Sequence, residues 1–270
     1  MLSKVFSRLS VAALAGGALF VSFPALAAED GDIITDRPDF VESSKVVGIG
    51  RFQIETSVAA EQDRDVGVRR RSYSTPTLLR YGISDTLELR VETDGRMIEQ
   101  TTLQHRGARS TAAGYADTAL GVKWHVVDDA PGVPSMAVLL HADLASGSEI
   151  FRGEGVRPSL RVAAEWDLPA GMALGVMPGI GIERAVGAGR YSYGVLGVVL
   201  GKEITPTVRA FIEIAAPKIA RARDGGTAAT FDTGAGWLLA ERCQLDAMAS
   251  FGLNRRTPDL ALTIGFSYKL

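Results

Sequence analysis

The last twelve residues of the chain alternate between two kinds of side chain. Positions between the apolar ones are small or polar, and the apolar set is Leu260, Leu262, Ile264, Phe266, Tyr268 and Leu270. Successive side chains of a β-strand point to opposite faces of the sheet. The pattern therefore predicts a strand with one wholly apolar face.

The same alternation recurs along the chain and indicates a membrane protein. The predicted strands run about 10 to 12 residues, whereas strands of soluble proteins have about 5 or 6. A tilted strand needs about 9 to 11 residues to cross the hydrocarbon layer of a membrane. We predict an all-β fold, a transmembrane antiparallel up-and-down β-barrel of about twelve strands over residues 50–270, with a soluble β-sandwich as the alternative. The predicted strands are 50–60, 73–82, 85–93, 116–127, 135–144, 156–168, 171–184, 190–202, 205–216, 229–240, 243–252 and 258–270.

The connections between these strands alternate in length. Short turns are predicted after every second strand, and the longer links 61–72, 94–115, 145–155 and 217–228 are predicted to be external loops. Trp124, Trp166 and Trp237 share the parity of the apolar face and lie close to short turns. They are predicted to form an aromatic girdle at the periplasmic interface, because amphipathic rings settle at head-group depth.

The N-terminus has the features of a secretory signal. Lys4 and Arg8 precede an apolar run over 11–23, and Ala25-Leu26-Ala27 forms a cleavage pattern. We predict a cleaved signal peptide over 1–27 and a periplasmic N-terminal segment over 28–49. Export and a barrel together predict the outer membrane of a Gram-negative bacterium, with membrane lipid and the barrel assembly machinery as partners.

The charge of the chain argues against a nucleic-acid partner. Without the two basic residues of the signal, 27 of the 29 Lys and Arg residues stand against 31 Asp and Glu residues, a net charge near −4. Nucleic-acid-binding surfaces carry basic patches or stripes instead.

Several segments resemble one bacterial family. The opening over 34–44 (ITDRPDFVESS) and the segment over 74–82 (STPTLLRYG) are the most specific matches, with further matches at 50–56, 87–90, 121–124 and 145–148. They resemble the outer-membrane transporter family grouped as putative MetA-pathway of phenol degradation proteins. The resemblance implies a passive outer-membrane channel for small solutes, aromatic or other hydrophobic compounds among them.

Charged side chains with inward parity are the candidate functional residues. Arg80, Glu88 and Arg90 are the first candidates for a constriction, since they lie on two strands joined by a short turn. Such charges either line an aqueous path or pair into a network that fills the interior, and the sequence leaves both open. The predicted pore-lining residues are Arg51, Glu55, Arg80, Glu88, Arg90, Lys123, Arg161, Glu165, Arg209 and Glu213.

The charged residues before the first strand suggest a plug. Asp36, Arg37 and Asp39 precede the barrel and carry charges that could pair with residues of the lumen. We predict that this segment docks in the periplasmic mouth; the alternative is a flexible leader.

Two further functions remain as alternatives. One is a closed structural or adhesive surface barrel whose function lies in the loops 94–115 and 217–228. The other is a membrane-embedded acyl hydrolase, which needs a serine and a histidine within hydrogen-bond reach. The histidines are His105, His125 and His141, and the turn over 128–134 is predicted to place His125 opposite residue 137 rather than His141. We therefore predict a protein that is not an enzyme, with no cofactor and no metal.

Overall fold

A computed structural model describes residues 32–270 of the chain, except 105, 106 and 186–188. The predicted signal peptide and His105 lie outside the described residues. In the described part, the chain forms one antiparallel sheet and a short 3₁₀ helix over Ala222–Asp224. The strand segments are β1 (Phe52–Asp65), β2 (Val68–Ser74), β3 (Thr77–Gly82), β4 (Leu87–Thr93), β5 (Arg96–Leu103), β6 (Ala108–Tyr115), β7 (Thr118–Val127), β8 (Ser135–Leu144), β9 (Arg157–Leu168), β10 (Met172–Ala185), β11 (Gly189–Thr205), β12 (Val208–Ile219), β13 (Ala228–Ala240), β14 (Cys243–Gly252) and β15 (Leu260–Lys269).

Three strands of the barrel are interrupted near the same height. β2 and β3 are separated at 75–76, β4 and β5 at 94–95, and β6 and β7 at 116–117. Pro76 has no N–H to donate to the ladder, and Gly95 has a φ of 63°, which glycine adopts without steric cost. Counting each interrupted strand once gives twelve strands among the described residues, so the predicted fold and strand number are confirmed.

The first and last strands close the sheet into a barrel. β1 pairs with β15 over ten positions, from Gln53 opposite Lys269 to Gln62 opposite Leu260. β1 also pairs with β2 and β3 on its other side. Closure matters because unpaired backbone groups at a sheet edge cost several kcal/mol each in hydrocarbon.

The predicted loops 61–72 and 94–115 are wrong for most of their length. β1 continues to Asp65, β2 begins at Val68, and β5 and β6 form a hairpin joined through 104–107. The outer part of β1 and the segments β2, β5 and β6 thus form an extension of the wall on the side of the long connections. The sequence resembles a loop here because both faces of the extension are polar, as in Arg69, Arg70 and Arg71 of β2.

The two faces of the barrel wall carry different residues. On β8, Leu140 is 55% exposed on the outside, whereas its neighbour Leu139 is fully buried inside. Trp124 and Trp237 are exposed on the outer face, and Trp166 is half-buried. Among the described residues no helix is long and apolar enough to span a bilayer.

A charge on the outer face is expected to destabilise the barrel in a membrane. Leu140→Arg places a guanidinium near the middle of β8, where an arginine facing lipid costs about 2 to 4 kcal/mol. We expect a lower free energy of unfolding in bilayers, measured by urea titration followed by gel migration of the folded and unfolded forms.

Val66→Arg is the matched control for this substitution. Val66 is 91% exposed in the turn between β1 and β2 at the far end of the extension. The same change of charge there should leave the free energy of unfolding unaltered. Equal effects of the two substitutions would contradict the assignment of the outer face to lipid.

Candidate functional site

The chain before the first strand runs through the interior of the barrel. The backbone N–H of Ile33 donates to the carbonyl of Glu241 in the turn between β13 and β14, at 2.6 Å. At the other end of the segment, the N–H of Val47 donates to the carboxylate of Glu88 at 2.9 Å. Both contacts lie at the end of the barrel that bears the short turns. Residues 33–47, called here the lumen segment, therefore enter and leave through the same mouth.

Asp36 is the centre of a buried network of charges. Its carboxylate lies 2.6 Å from Nζ of Lys123, 2.5 Å from Nη1 of Arg90 and 3.3 Å from Nη1 of Arg80. The four side chains are all at most 1% exposed. One carboxylate thus compensates charges on three strands of the wall, β3, β4 and β7.

Wall carboxylates complete the network. Glu88 accepts two hydrogen bonds from Arg80, at 2.9 and 3.0 Å, and Glu55 accepts one from the same guanidinium at 3.0 Å. Arg80 also donates to the carbonyl oxygens of Ile34 and Lys45 in the lumen segment. Bidentate pairing of this kind fixes position as well as charge.

Glu42 bridges the barrel at mid-height. Its carboxylate lies 2.5 Å from Nη2 of Arg90 on β4 and 3.2 Å from Nη1 of Arg161 on β9. The lumen segment is therefore held between β4 and β9, which are separated in the sheet by β7 and β8.

The opposite side of the lumen segment is held by backbone and hydroxyl hydrogen bonds. Glu213 accepts from the N–H groups of Phe40 and Val41, both at 2.8 Å. Glu165 accepts from the N–H of Ser44 at 2.6 Å and from its hydroxyl at 2.5 Å. Two wall carboxylates thereby bind the chain itself.

An apolar cluster supports the same stretch. Val41 packs against Met177 and Val199, with Phe40 and Phe211 at its edge. A Cβ on Gly197 would lie 2.5 Å from Val41, so only glycine leaves room for the lumen segment at this position of β11. These contacts were not predicted from the sequence. Glycines at inward positions of the strands were the one sequence feature that could have indicated them.

Acidic residues of the lumen segment have pKa values shifted in opposite directions. Burial raises the pKa of Asp36, but Arg80, Lys123 and Arg90 outweigh it and hold the value well below its usual range. Burial also raises the pKa of Glu42, but the guanidinium of Arg90 and its basic neighbours outweigh burial and lower the pKa of Glu42. Burial and the neighbouring carboxylate of Glu213 raise the pKa of Asp39 well above its usual range.

Most predicted pore-lining residues contact the lumen segment directly. Arg209 is exposed and lines the cavity beside the segment, and Arg51 directly precedes β1. Arg37 lies 3.6 Å from Glu92 of β4, and Asp39 lines the same cavity as Arg209. The predicted residues that contact the segment are Glu55, Arg80, Glu88, Arg90, Lys123, Arg161, Glu165 and Glu213.

The histidines do not form a catalytic arrangement within the described residues. His125 lies opposite Ala137 in the register, as the turn length predicts. Its ring contacts the carbonyl of Ser44 and the carboxylate of Asp128, both at 2.9 Å. Neither ring nitrogen of the buried His141 has a hydrogen-bond partner. In the same part of the chain, no group of three or more His, Cys, Asp or Glu side chains is placed to hold a metal ion.

Two cavities lie inside the barrel, one near each end. One of about 430 Å³ lies at the short-turn end, lined by residues such as Asp39, Glu165 and Arg209. The other, of about 420 Å³, lies at the end of the long connections, lined by residues such as Glu92 and Asp143. No described residue lines both cavities, and Glu42 of the lumen segment pairs with Arg161, which lines the second one.

Two isosteric substitutions three positions apart should change docking of the lumen segment in opposite directions. Asp36→Asn leaves three buried cations without their shared carboxylate and should loosen the segment. Burial and the carboxylate of Glu213 both disfavour the ionised form of Asp39 in the docked segment. Asp39→Asn removes that unfavourable charge and should therefore strengthen docking of the lumen segment at neutral pH. Hydrogen exchange of the backbone N–H groups over 40–47 measures both effects.

The pH dependence of docking should differ between the two aspartates. A raised pKa in the docked state means that Asp39 contributes to docking at low pH and that this contribution is lost as the pH rises through the raised value. A lowered pKa means that Asp36 contributes above its usual range and that this contribution is lost as the pH falls through the lowered value. Asp39→Asn should abolish only the first dependence; faster exchange in both variants at every pH would contradict the opposite roles of the two carboxylates.

Comparison with known proteins agrees with the architecture. The crystal structure of an outer membrane channel from Pseudomonas putida F1 matches with a TM-score of 0.61 and 11% identity, over 87% of this chain and 99% of that one. A KdgM porin matches with a TM-score of 0.50 and 11% identity, over 80% of this chain and 98% of that one. A search of curated proteins found no match.

At these identities the two structures support the fold alone. The family assignment rests on the sequence instead. It confirms the family resemblance that the opening segment and the segment over 74–82 indicated. The profile of one family matches residues 35–270, which is nearly all of the barrel and the lumen segment. The chain belongs to the family described as Putative MetA-pathway of phenol degradation.

Proposed function

We propose that this protein is a passive channel for small solutes in the bacterial outer membrane, closed in this conformation by the lumen segment. Two observations carry the proposal. The cavities at the two ends of the closed barrel share no lining residue. The lumen segment lines the first cavity, and its Glu42 pairs with Arg161, which lines the second. Each cavity has the size of a small-molecule site, for which about 300 to 1,000 Å³ is typical.

The barrel does not need the lumen segment for its own ladder. β1 pairs with β15 on one side and with β2 and β3 on the other, and none of these pairings involves residues 33–47. The segment is held by side chains of the wall, such as Glu213 and Glu165. Its release would open the lumen while the wall stays intact.

The setting of the channel forms part of the proposal. The chain would be exported by its signal peptide, inserted by the barrel assembly machinery and surrounded by outer-membrane lipid. A small-molecule solute would be its physiological partner, and nucleic acid would not be. Because the family description names phenol degradation, small aromatic compounds are the first solutes to test.

A disulfide between the lumen segment and the wall should lock the channel. The hydroxyl oxygens of Ser44 in the lumen segment and Ser135 on β8 are 2.8 Å apart and buried. Cysteines at both positions, in a Cys243→Ser background, would bring two sulfur atoms close enough to form the S–S bond of ~2.05 Å. Conductance in planar bilayers should fall when this double variant is oxidised and recover when a reductant is added.

The single variants Ser44→Cys and Ser135→Cys are the controls, since neither can form the bridge. If the oxidised double variant conducts like the wild-type protein, the lumen segment is not the gate. If folded protein conducts in no preparation, reduced or oxidised, the channel proposal is wrong and a closed surface barrel replaces it.

A further inference from the structure

We propose that the outer face of the barrel extension binds the phosphate groups of a glycolipid in the outer leaflet of the outer membrane. The extension consists of the outer part of β1 together with β2, β5 and β6. The inference rests on the outer-membrane setting of the proposed function, but it does not depend on conduction. It follows from the separation of the two signs of charge between the two faces of the extension.

The pairing of the four strands identifies these two faces. On β1, Val58 is 62% exposed on the side that faces lipid, and the next residue, Ala59, is buried inside. From there the register between β1, β2, β5 and β6 continues without a shift. Alternation along each strand therefore places every second residue of the extension on the same side as Val58, called here the outer face.

Arginine is the charged residue of the outer face. On the four strand segments, all of which lie in the described part of the chain, the outward positions hold no Asp or Glu. The outward arginines are Arg64 on β1, Arg69 and Arg71 on β2, Arg96 on β5 and Arg109 on β6. The outer face is therefore positive, with no carboxylate of its own to compensate it.

The inner face of the extension has the opposite character. Arg70 stands between Arg69 and Arg71 in the sequence but points inward, where it lies 3.5 Å from Asp63, its partner in the register. The carboxylates of the inner face are those of Glu61, Asp63, Asp65 and Glu99. The charges of the extension are thus sorted by face, and the acidic groups cannot reach the outward arginines without crossing the sheet.

Two of the outward arginines lie directly opposite each other. Arg64 on β1 pairs in register with Arg69 on β2, and Thr102 separates Arg69 from Arg109 in the same row. Like charges directly opposite on neighbouring strands are destabilising. Nε of Arg69 is buried and has no hydrogen-bond partner among the described residues. An anion over this row would offset the repulsion and supply hydrogen-bond acceptors.

The outward arginines lie just beyond the surface that faces lipid. Tyr73 and Tyr115 are exposed on the outer face, and amphipathic rings settle at head-group depth. On β2, Arg71 is two residues further from the membrane than Tyr73, a rise of about 7 Å, and Arg69 is two residues further again. The guanidinium groups therefore stand at the height of lipid head groups.

A phosphorylated glycolipid fits both parts of this surface. Guanidinium groups bind phosphate oxygens through paired hydrogen bonds, which gives geometric as well as electrostatic selection. The acyl chains of the same lipid would lie against the apolar wall below, where Val58 and Leu262 are exposed. A soluble anion would use the arginines alone, so the apolar surface directly beneath them favours a lipid.

Titration of the protein, folded in detergent, with bisphosphorylated lipid A tests the proposal. Native mass spectrometry measures the fraction of protein that carries the lipid. Arg69→Gln and Arg71→Gln should each weaken binding several-fold, and the double variant roughly tenfold or more, because basic residues at an anionic lipid surface contribute separately. The same lipid without its phosphates should bind the wild-type protein and the double variant alike. Gel migration of unheated samples checks that each variant is folded.

Arg70→Gln is the matched control, since it removes one charge from the same strand but from the inner face. Its affinity for lipid A should equal that of the wild-type protein. An equal loss of affinity in this variant, or equal binding of the two lipids by the wild-type protein, would overturn the proposal. Displacement of the lipid by inorganic phosphate at the same concentration would also overturn it, because the site would then take a free anion. Conductance is measured separately, so each of these outcomes would leave the channel proposal intact.

Discussion

The closed ladder of backbone hydrogen bonds is the constraint on which the structure depends. In hydrocarbon, no water is available to form hydrogen bonds with an unpaired backbone N–H or carbonyl group. β1 must therefore pair with β15. Closure in turn creates an interior into which every second side chain of each strand points. The polar half of the alternating pattern is thereby confined to a small volume, where charges must find partners within the barrel.

Asp36 shows how this confinement shapes the rest of the chain. Arg80, Arg90 and Lys123 come from three strands and would repel one another in a shared interior. Glu55 and Glu88 compensate part of that charge, and the lumen segment supplies the remainder through Asp36 and Glu42. The segment before the first strand is therefore part of the charge balance of the barrel rather than an appendage to it.

The sequence predicted the barrel well because its main rule is simple. A period of two assigns each side chain to lipid or lumen, and short turns then set the register, as for His125 opposite Ala137. The rule stops at the membrane surface, where both faces of a strand become polar. The extension that contains β2, β5 and β6 therefore looked like loops, although its backbone pairs regularly.

The interior was predictable in its residues but not in its partners. Parity predicted that Arg80 and Glu88 face the interior, and the charges of Asp36 to Asp39 suggested docking. The three cations that surround Asp36 could not be named from the sequence. The contact of Val41 with Gly197 was not predictable, because it depends on which part of the lumen segment faces β11. Pairing across an interior joins residues far apart in sequence, and no local pattern encodes it.

A charged segment suits the proposed barrier, because a barrier of this kind must leave the lumen for the channel to open. The attraction between buried ions is largely offset by the cost of removing them from water, so an ion-paired segment gains far less from docking than its close contacts suggest. On release, water would solvate both Asp36 and the wall cations. Release of an apolar plug would instead expose apolar surface of the plug and of the wall to water. Burial of Asp39 beside the carboxylate of Glu213 works in the same direction, since it raises the free energy of the docked form when Asp39 is ionised. Precise placement and modest net affinity of the lumen segment are thus compatible. The geometry of the ion pairs fixes its position, and the cost of removing the ions from water limits its affinity.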